Sequence, residues 1–272
     1  MNDLPDLAAV TQIQQQIWSE GDFSMVANLV YFPSERLIES LEIIPDERVL
    51  DVASGSGNAA LAAARRAWGG NVVSSDYVPA LLARGRERAA AEGLEIEFVE
   101  ADAQNLPFED ASFDVVTSIF GAMFAPDQRK TARELMRVVK PGGRIGMGNW
   151  CPDGSVGEMF KTISKHAPPP PGIDSPLLWG TEGRVRELLG DGISDLRIER
   201  RKSRQPFRSA DHYIEFFRTN FGPTKTAFER VGPDGEAALH DDLKTLLEEQ
   251  NKAGDRAMVL EAEYLEVVAT RA

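Results

Sequence analysis

Hydrophobic residues recur along this chain in two periods that take turns. Residues 49–53 form an almost unbroken apolar run, the pattern of a parallel strand buried on both faces, and short strand patterns recur at 71–75, 96–100, 113–118 and 144–149. The segments between them are helical in pattern: alanine-rich 58–68, then 79–91 and 127–139, with Pro141-Gly142-Gly143 as a turn before the fifth strand. Such alternation predicts a doubly wound α/β sheet. Ahead of it, residues 4–44 read as helical, with Leu7, Val10, Ile13 and Ile17 at near-helical spacing, a break at Gly21-Asp22, and Pro33 before a second amphipathic stretch. After residue 151 the alternation loosens. The proline run 167–172 predicts an extended, stiff connection, and 181–189 a helix stopped by Gly190. Strands at 193–207 and 256–270 then bracket a helical insertion over 210–251. Alternation through Leu260, Ala262 and Tyr264 changes phase at Leu265, which predicts a bulge there.

Candidate chemistry gathers where the strands end. The first strand carries Asp51 and runs into Ala53-Ser54-Gly55-Ser56-Gly57 before an alanine-rich helix. Gly55 and Gly57 let the backbone approach a ligand closely, and their amides would point at it from the helix N-terminus. Asp76 follows the second strand, close to the offset of about twenty residues at which a carboxylate accepts from ribose hydroxyls. Asp102 follows the third. Each acid alone could be a turn or a helix cap, as Asp76 before Tyr77-Val78-Pro79 could be. Capping does not explain three acids after successive strands, whereas ligands of open α/β sheets bind at those carboxyl ends. An adenosine-containing cofactor is therefore expected.

The DVASGSG turn, the acid after the second strand, EADAQNLPFEDASFDVV and LMRVVKPGGRI together resemble the class I S-adenosylmethionine-dependent methyltransferases, nearest to the small-molecule "type 11" branch that includes quinone-methylating enzymes. The motifs cover residues 47–150, and Ala53 stands where the family pattern usually has glycine. The resemblance implies a Rossmann-like, mostly parallel seven-stranded sheet closed by an antiparallel C-terminal hairpin. It implies S-adenosyl-L-methionine as cofactor, leaving as S-adenosyl-L-homocysteine. Ala53, Gly55, Ser56 and Gly57 would then line its methionine and ribose portion, with Asp51 orienting the amino group. Asp76 would take the ribose hydroxyls, Tyr77 would cover the adenine, Asp102 and the Ala103 amide would meet the ring, and Ser118 would lie near the sulfonium. Residues 1–46 would form a helical segment over the cofactor site. Residues 47–272 would be the methyltransferase domain, with a lid-like excursion at 151–180 and the insertion at 210–251.

Composition narrows the class further. A chain of 272 residues with 42% apolar residues can build a substantial core. No segment reaches the eighteen or so continuous apolar residues of a membrane span, and the N-terminus lacks the basic start of a signal peptide. One cysteine, Cys151, permits no intrachain disulfide, which fits a cytoplasmic location. A net charge of −13 argues against nucleic-acid or anionic-membrane partners. No His/Cys cluster has metal-ligand spacing. The basic cluster Arg197, Arg200, Arg201, Lys202, Arg204 and Arg208 reads as the solvated side of an edge strand.

Apolar groups near the ends of the fourth and fifth strands predict an acceptor pocket for a flat or lipid-like small molecule: Phe120, Met123, Phe124, Asn149 and Trp150, with Phe160 and Trp179 on the excursion. Trp18 and Phe23 flank Gly21-Asp22 and would close over the cofactor. Methyl transfer needs a general base only where the acceptor must lose a proton. His166 and His212 are the weak candidates for that role. Two other readings stay open. Gly55-Ser56-Gly57-Asn58-Ala59-Ala60 also satisfies the dinucleotide fingerprint of an NAD(P)-dependent oxidoreductase, although Asp51 would then face two phosphate charges. A methyltransferase-like protein that binds without turnover has the same motifs.

Overall fold

The computed structural model describes residues 6–272. The expected helical start at residue 4 lies outside them. Asp6 caps the first helix, its carboxylate accepting from the Ala8 and Ala9 amides at 3.0 and 3.2 Å. Three helices lead in: α1 (Leu7–Ser19), α2 (Phe23–Ala27) and α3 (Tyr31–Ser40). The alternating core follows as β1 (Val49–Val52), α4 (Asn58–Ala64), β2 (Val72–Asp76), α5 (Pro79–Glu92), β3 (Ile96–Glu100), β4 (Phe113–Ile119), α6 (Gln128–Val138) and β5 (Val139–Trp150). The remainder is α7 (Ser155–His166), α8 (Glu182–Leu189), β6 (Ile193–Phe207), α9 (Ala210–Asn220), α10 (Gly222–Gln250) and β7 (Met258–Arg271).

The seven strands form one sheet in the order β3-β2-β1-β4-β5-β7-β6, parallel except where β7 runs antiparallel to both neighbours. This is the expected Rossmann-like sheet with its C-terminal hairpin. Strand order reverses between β1 and β4, so their carboxyl ends open a crevice. Burial explains why these segments became strands: all four residues of β1 and all five of β2 are buried. Ala59 to Ala64 are buried as well, and their small side chains let α4 lie close on the sheet.

Two expectations about register are settled by the pairing. The Pro141-Gly142-Gly143 turn lies inside β5, where pairing with β4 skips from Phe113↔Val139 to Val115↔Arg144 and Gly142 adopts φ +76°. The bulge expected at Leu265 is absent: β7 pairs without a break from Tyr264 to Thr270 against β5 and across Leu265 against β6, and the irregularity of the hairpin falls at Ile193–Asp195 instead. The phase change has another cause. Met258 and Leu260 pack among the insertion helices, whereas Leu265, Val267 and Ala269 face the core that holds Val185 and Leu189 of α8. The buried face changes along one continuous strand because its cover changes.

β6 is the sheet edge, and the basic cluster is largely neutralised on it. Arg200 grips Asp153 through two hydrogen bonds of 2.9 Å, Lys202 meets Glu261 at 2.7 Å and Arg201 meets Glu199 at 2.5 Å. The insertion is α9 and α10, the latter broken at Gly232 (φ +64°) before Pro233.

The lead-in helices are fixed to the insertion by a backbone crossing. The Asp22 amide donates to the Asn220 carbonyl at 3.0 Å, and a Cβ on Gly222 would stand 1.8 Å from the Ile17 carbonyl oxygen. Only a residue without a side chain fits there. Gly222→Ala is expected to push α1 away and cost about 1–3 kcal/mol, the usual price of overpacking. Urea unfolding should show it as a lowered midpoint with an unchanged slope.

Candidate active site

The turn after β1 is built from left-handed backbone. Ala53, Gly55 and Gly57 have φ of +51°, +56° and +82°. The alanine at 53 therefore carries a strain of roughly 1–2 kcal/mol that glycine would avoid. A second strained segment presses on it: Phe120 has φ +52°, and a Cβ on Gly121 would fall 2.3 Å from the Ala53 carbonyl oxygen. Strain of this kind concentrates at functional sites. The amides of the turn are used internally rather than offered to a ligand. Gly55 N–H donates to Asp76 Oδ2 at 2.8 Å and Gly57 N–H to the Ser54 carbonyl at 2.9 Å. What Gly55 contributes to the crevice is the absence of a side chain.

The three acids stand as expected along one wall. Asp51 accepts from the Ala60 amide at 2.9 Å and the Thr117 hydroxyl at 3.0 Å. Its carboxyl is nevertheless pushed up to about 7, because burial outweighs those bonds. Asp76 accepts from Gly55 and Val78 amides at 2.8 and 2.9 Å, and burial pushes it up to about 6. Asp102 accepts from the Gln104 amide at 2.9 Å. Among the described residues none of the three is ion-paired. Tyr77 is half-buried, and desolvation, with Asp76 and Asp102 nearby, holds its hydroxyl protonated.

Helix α1 closes the opposite side. Gln15 Nε2 donates to the Tyr77 carbonyl at 2.5 Å, and Gln104 Nε2 donates to Thr11 Oγ1 at 3.0 Å while Gln104 Oε1 accepts from the Asp127 amide at 3.0 Å. The cleft is lined by Asp51, Ala53, Gly55, Asp76, Tyr77, Asp102 and Ala103, together with Thr11 and Gln14. Beyond it lies a second, aromatic chamber. Trp18, Phe23, Phe120 and Phe124 border both. Phe120 stacks on Trp150 with centroids 3.8 Å apart, and Trp18 meets Phe124 edge-on at 5.0 Å. Trp150 and Phe160 line the second chamber.

Eight expected site residues lie elsewhere. Ser56 is buried beneath the turn, accepting from Arg88 through its carbonyl and hydroxyl, and Gly57 is the left-handed cap of α4. Ser118 turns its hydroxyl back into the sheet, donating to the Val52 carbonyl at 2.8 Å and accepting from the Ala122 amide at 2.9 Å. Asn149 precedes Trp150 on β5, so with Trp150 facing the chamber it must face away. Met123 and Trp179 are buried in the main core. His166 ends α7 and meets Asp242 at 2.8 Å, while His212 accepts from the Arg208 amide at 3.3 Å; neither lines a chamber. Among the described residues no group of His, Cys, Asp or Glu is arranged to hold a metal ion, and no helix is long and apolar enough to cross a membrane.

Sequence reasoning missed Gln14 and Gln104 on the cleft, and Met159, Gln205, Tyr213, Phe217 and Phe221 on the chamber. Tyr213, Phe217 and Phe221 are four residues apart, a helical stripe that could have marked them.

Comparison with known proteins agrees with this architecture. A methyltransferase domain model matches residues 49–143. An uncharacterized protein of Mycobacterium tuberculosis is 39% identical over 258 residues, covering 94% of this chain and 93% of its own. The demethylmenaquinone methyltransferase of Thermus thermophilus is 42% identical over 132 residues, 48% of this chain and 60% of that protein. The YcgJ protein of Bacillus subtilis has the same fold with a TM-score of 0.60 at 19% identity, over 88% of this chain and 98% of that one. Phosphoethanolamine N-methyltransferase 2 of Haemonchus contortus, solved with S-adenosylhomocysteine, matches at a TM-score of 0.56 and 19% identity, over 88% of this chain and 52% of that one. Residues 49–143 thus carry a methyltransferase domain, and the chain as a whole shares the fold of these solved structures.

A buried acid with a raised pKa weakens the ligand-free fold as pH rises. Below about pH 4 Asp51 is protonated in both folded and unfolded chains, and the loss accumulates as pH climbs to about 7. Asp51→Asn, whose amide can still accept from Ala60 and donate to Thr117, should therefore gain on the parent between pH 5 and 8, on the order of 2 kcal/mol. Thermal unfolding of both proteins across that range measures it.

Proposed function

We propose that the protein transfers a methyl group from S-adenosyl-L-methionine to a small, apolar or aromatic acceptor. The observation that carries this reading is the pair of buried carboxyls, Asp51 and Asp76, lining one cleft with no cation paired to them among the described residues. A ligand bearing positive charge completes such a wall, and one bearing a pyrophosphate does not. The same argument disfavours NAD(P). When bound, S-adenosyl-L-methionine supplies a methyl carbon already activated by its sulfonium.

The chain's own residues would then hold, align and dry the reaction. Asp51 would receive the ammonium, Asp76 the ribose hydroxyls, and Asp102 with Ala103 the adenine edge. Helix α1 covers the cleft, so displacement would occur away from water. Trp18, Phe23, Phe120 and Phe124 border both chambers, so the donor methyl and the acceptor atom would have to meet in line among these rings. On this reading residues 1–46 cover the cofactor, and 151–180 and 210–251 supply the acceptor chamber. The partial relative named for demethylmenaquinone supports a ring-shaped acceptor. The single cysteine fits a cytoplasmic setting.

Titration calorimetry with S-adenosylhomocysteine, S-adenosylmethionine and NAD tests the reading. The first two should bind, and Asp76→Asn should weaken them at least tenfold while NAD stays unbound. Binding of NAD alone would overturn it. Trp18→Ala should lower cofactor affinity or turnover several-fold with the fold retained, since it opens the wall shared by both chambers; unchanged kinetics would remove Trp18 from the site.

A further inference from the structure

The second chamber carries a polar group that the fold does not use. On the inward face of β6 sit Ser203, Gln205 and Phe207, all buried. Ser203 donates to the Leu29 carbonyl at 3.1 Å, and Phe207 packs among the rings of α9. Gln205 is 2% exposed and lines the chamber, yet its Oε1 has no hydrogen-bond partner among the described residues. A buried amide oxygen left unpaired costs free energy unless something else meets it.

The rest of the wall restricts what can meet it. Among the described residues the chamber is lined by no carboxylate, ammonium, guanidinium, imidazole or thiol. Tyr213 is spoken for, its hydroxyl donating to Met159 Sδ at 3.3 Å, and burial keeps that hydroxyl protonated. A charged guest would be desolvated there without a counter-charge. Ring faces and one buried side-chain amide suit a different guest.

We infer that the acceptor is a neutral ring-bearing molecule with an O–H or N–H group, and that Gln205 is the residue that reads it, receiving that hydrogen at Oε1. This rests on the second chamber being the acceptor site. Gln205 acts here in specificity and not in the displacement itself. It also follows that acceptors which carry a carboxylate or ammonium beside the ring are excluded.

The test uses 1-naphthol, 1-methoxynaphthalene and 1-naphthoate as probes, titrated into the full chain with and without S-adenosylhomocysteine and read by quenching of Trp18 and Trp150. Naphthol should bind at least tenfold tighter than either of the others. Gln205→Leu should erase that preference by weakening naphthol alone, leaving methoxynaphthalene and S-adenosylhomocysteine affinities unchanged, and should raise the unfolding temperature because an unpaired polar group is gone. Gln205→Met provides the same removal with a more adaptable side chain. Equal binding of naphthol and its ether by the parent, preference for naphthoate, no binding of any probe, or equal losses for both neutral probes in the variants would overturn the inference. A lowered unfolding temperature in both variants would overturn it too, by revealing a structural role. Failure of S-adenosylhomocysteine to bind would instead sink the methyltransferase reading, and the probe ranking without it would still be read.

Discussion

The site depends on two carboxyl groups that the sheet buries without a counter-charge. Parallel register sets Asp51 opposite Ser74 and brings Asp76 to the end of the neighbouring strand, with Asp51 on the strand that borders the reversal of strand order. Backbone amides from the turn after β1, from α4 and from the turn after β2 hold three of their four oxygens, and Thr117 holds the fourth. Hydrogen bonds of this kind orient a carboxylate but do not replace a cation. The ligand-free fold therefore keeps an electrostatic deficit at its centre. A positively charged ligand relieves it, so binding and folding energy are coupled through the same two residues.

Holding that wall in place has visible costs nearby. Ala53 and Phe120 both sit in left-handed backbone, and the two strained turns touch through Gly121. Ser118 ties them together, bonding to the carbonyl of Val52 on one side and the amide of Ala122 on the other. This explains why a serine expected near the sulfonium is found inside the sheet: it fixes the loop that carries Phe120. Phe120 is then held by Trp150, whose ring it overlies at 9°. The wall between the chambers is thus a consequence of the turn that begins at β1.

The fold was legible because burial on both faces leaves a continuous apolar signal, and the acids because a charge at the end of such a run is conspicuous. Asp51, Asp76 and Asp102 stand where the pattern put them. Residues whose role depends on which way a strand faces were harder. Asn149 and Trp150 are adjacent and equally plausible in sequence, yet alternation lets only one enter the chamber. Trp179 is fully buried because residues 176–180 pass against the end of β5, so close that a Cβ on Gly180 would meet the Trp150 carbonyl oxygen at 1.9 Å. The bulge at Leu265 was misread because hydrophobic phase records what covers a strand as well as its register. Gln104 and Gln205 gave no sequence signal, since an amide is ordinary on a surface and becomes informative only when buried.

The contrast between the two chambers bears on the chemistry proposed for them. One wall concentrates negative charge, and the next is ring faces with a single amide oxygen. In a displacement that would carry positive charge from the donor sulfur to the acceptor, an apolar acceptor side disfavours localised charge and favours the spread-out transition state. Among the described residues the only titratable group lining the proposed acceptor chamber is the Tyr213 hydroxyl, which burial holds protonated, so an acceptor there would keep its proton until the bond forms. On the proposed reading geometry would be the remaining lever: alignment of donor and acceptor among the rings that border both chambers, exclusion of water by α1, and orientation of the acceptor by the Gln205 amide.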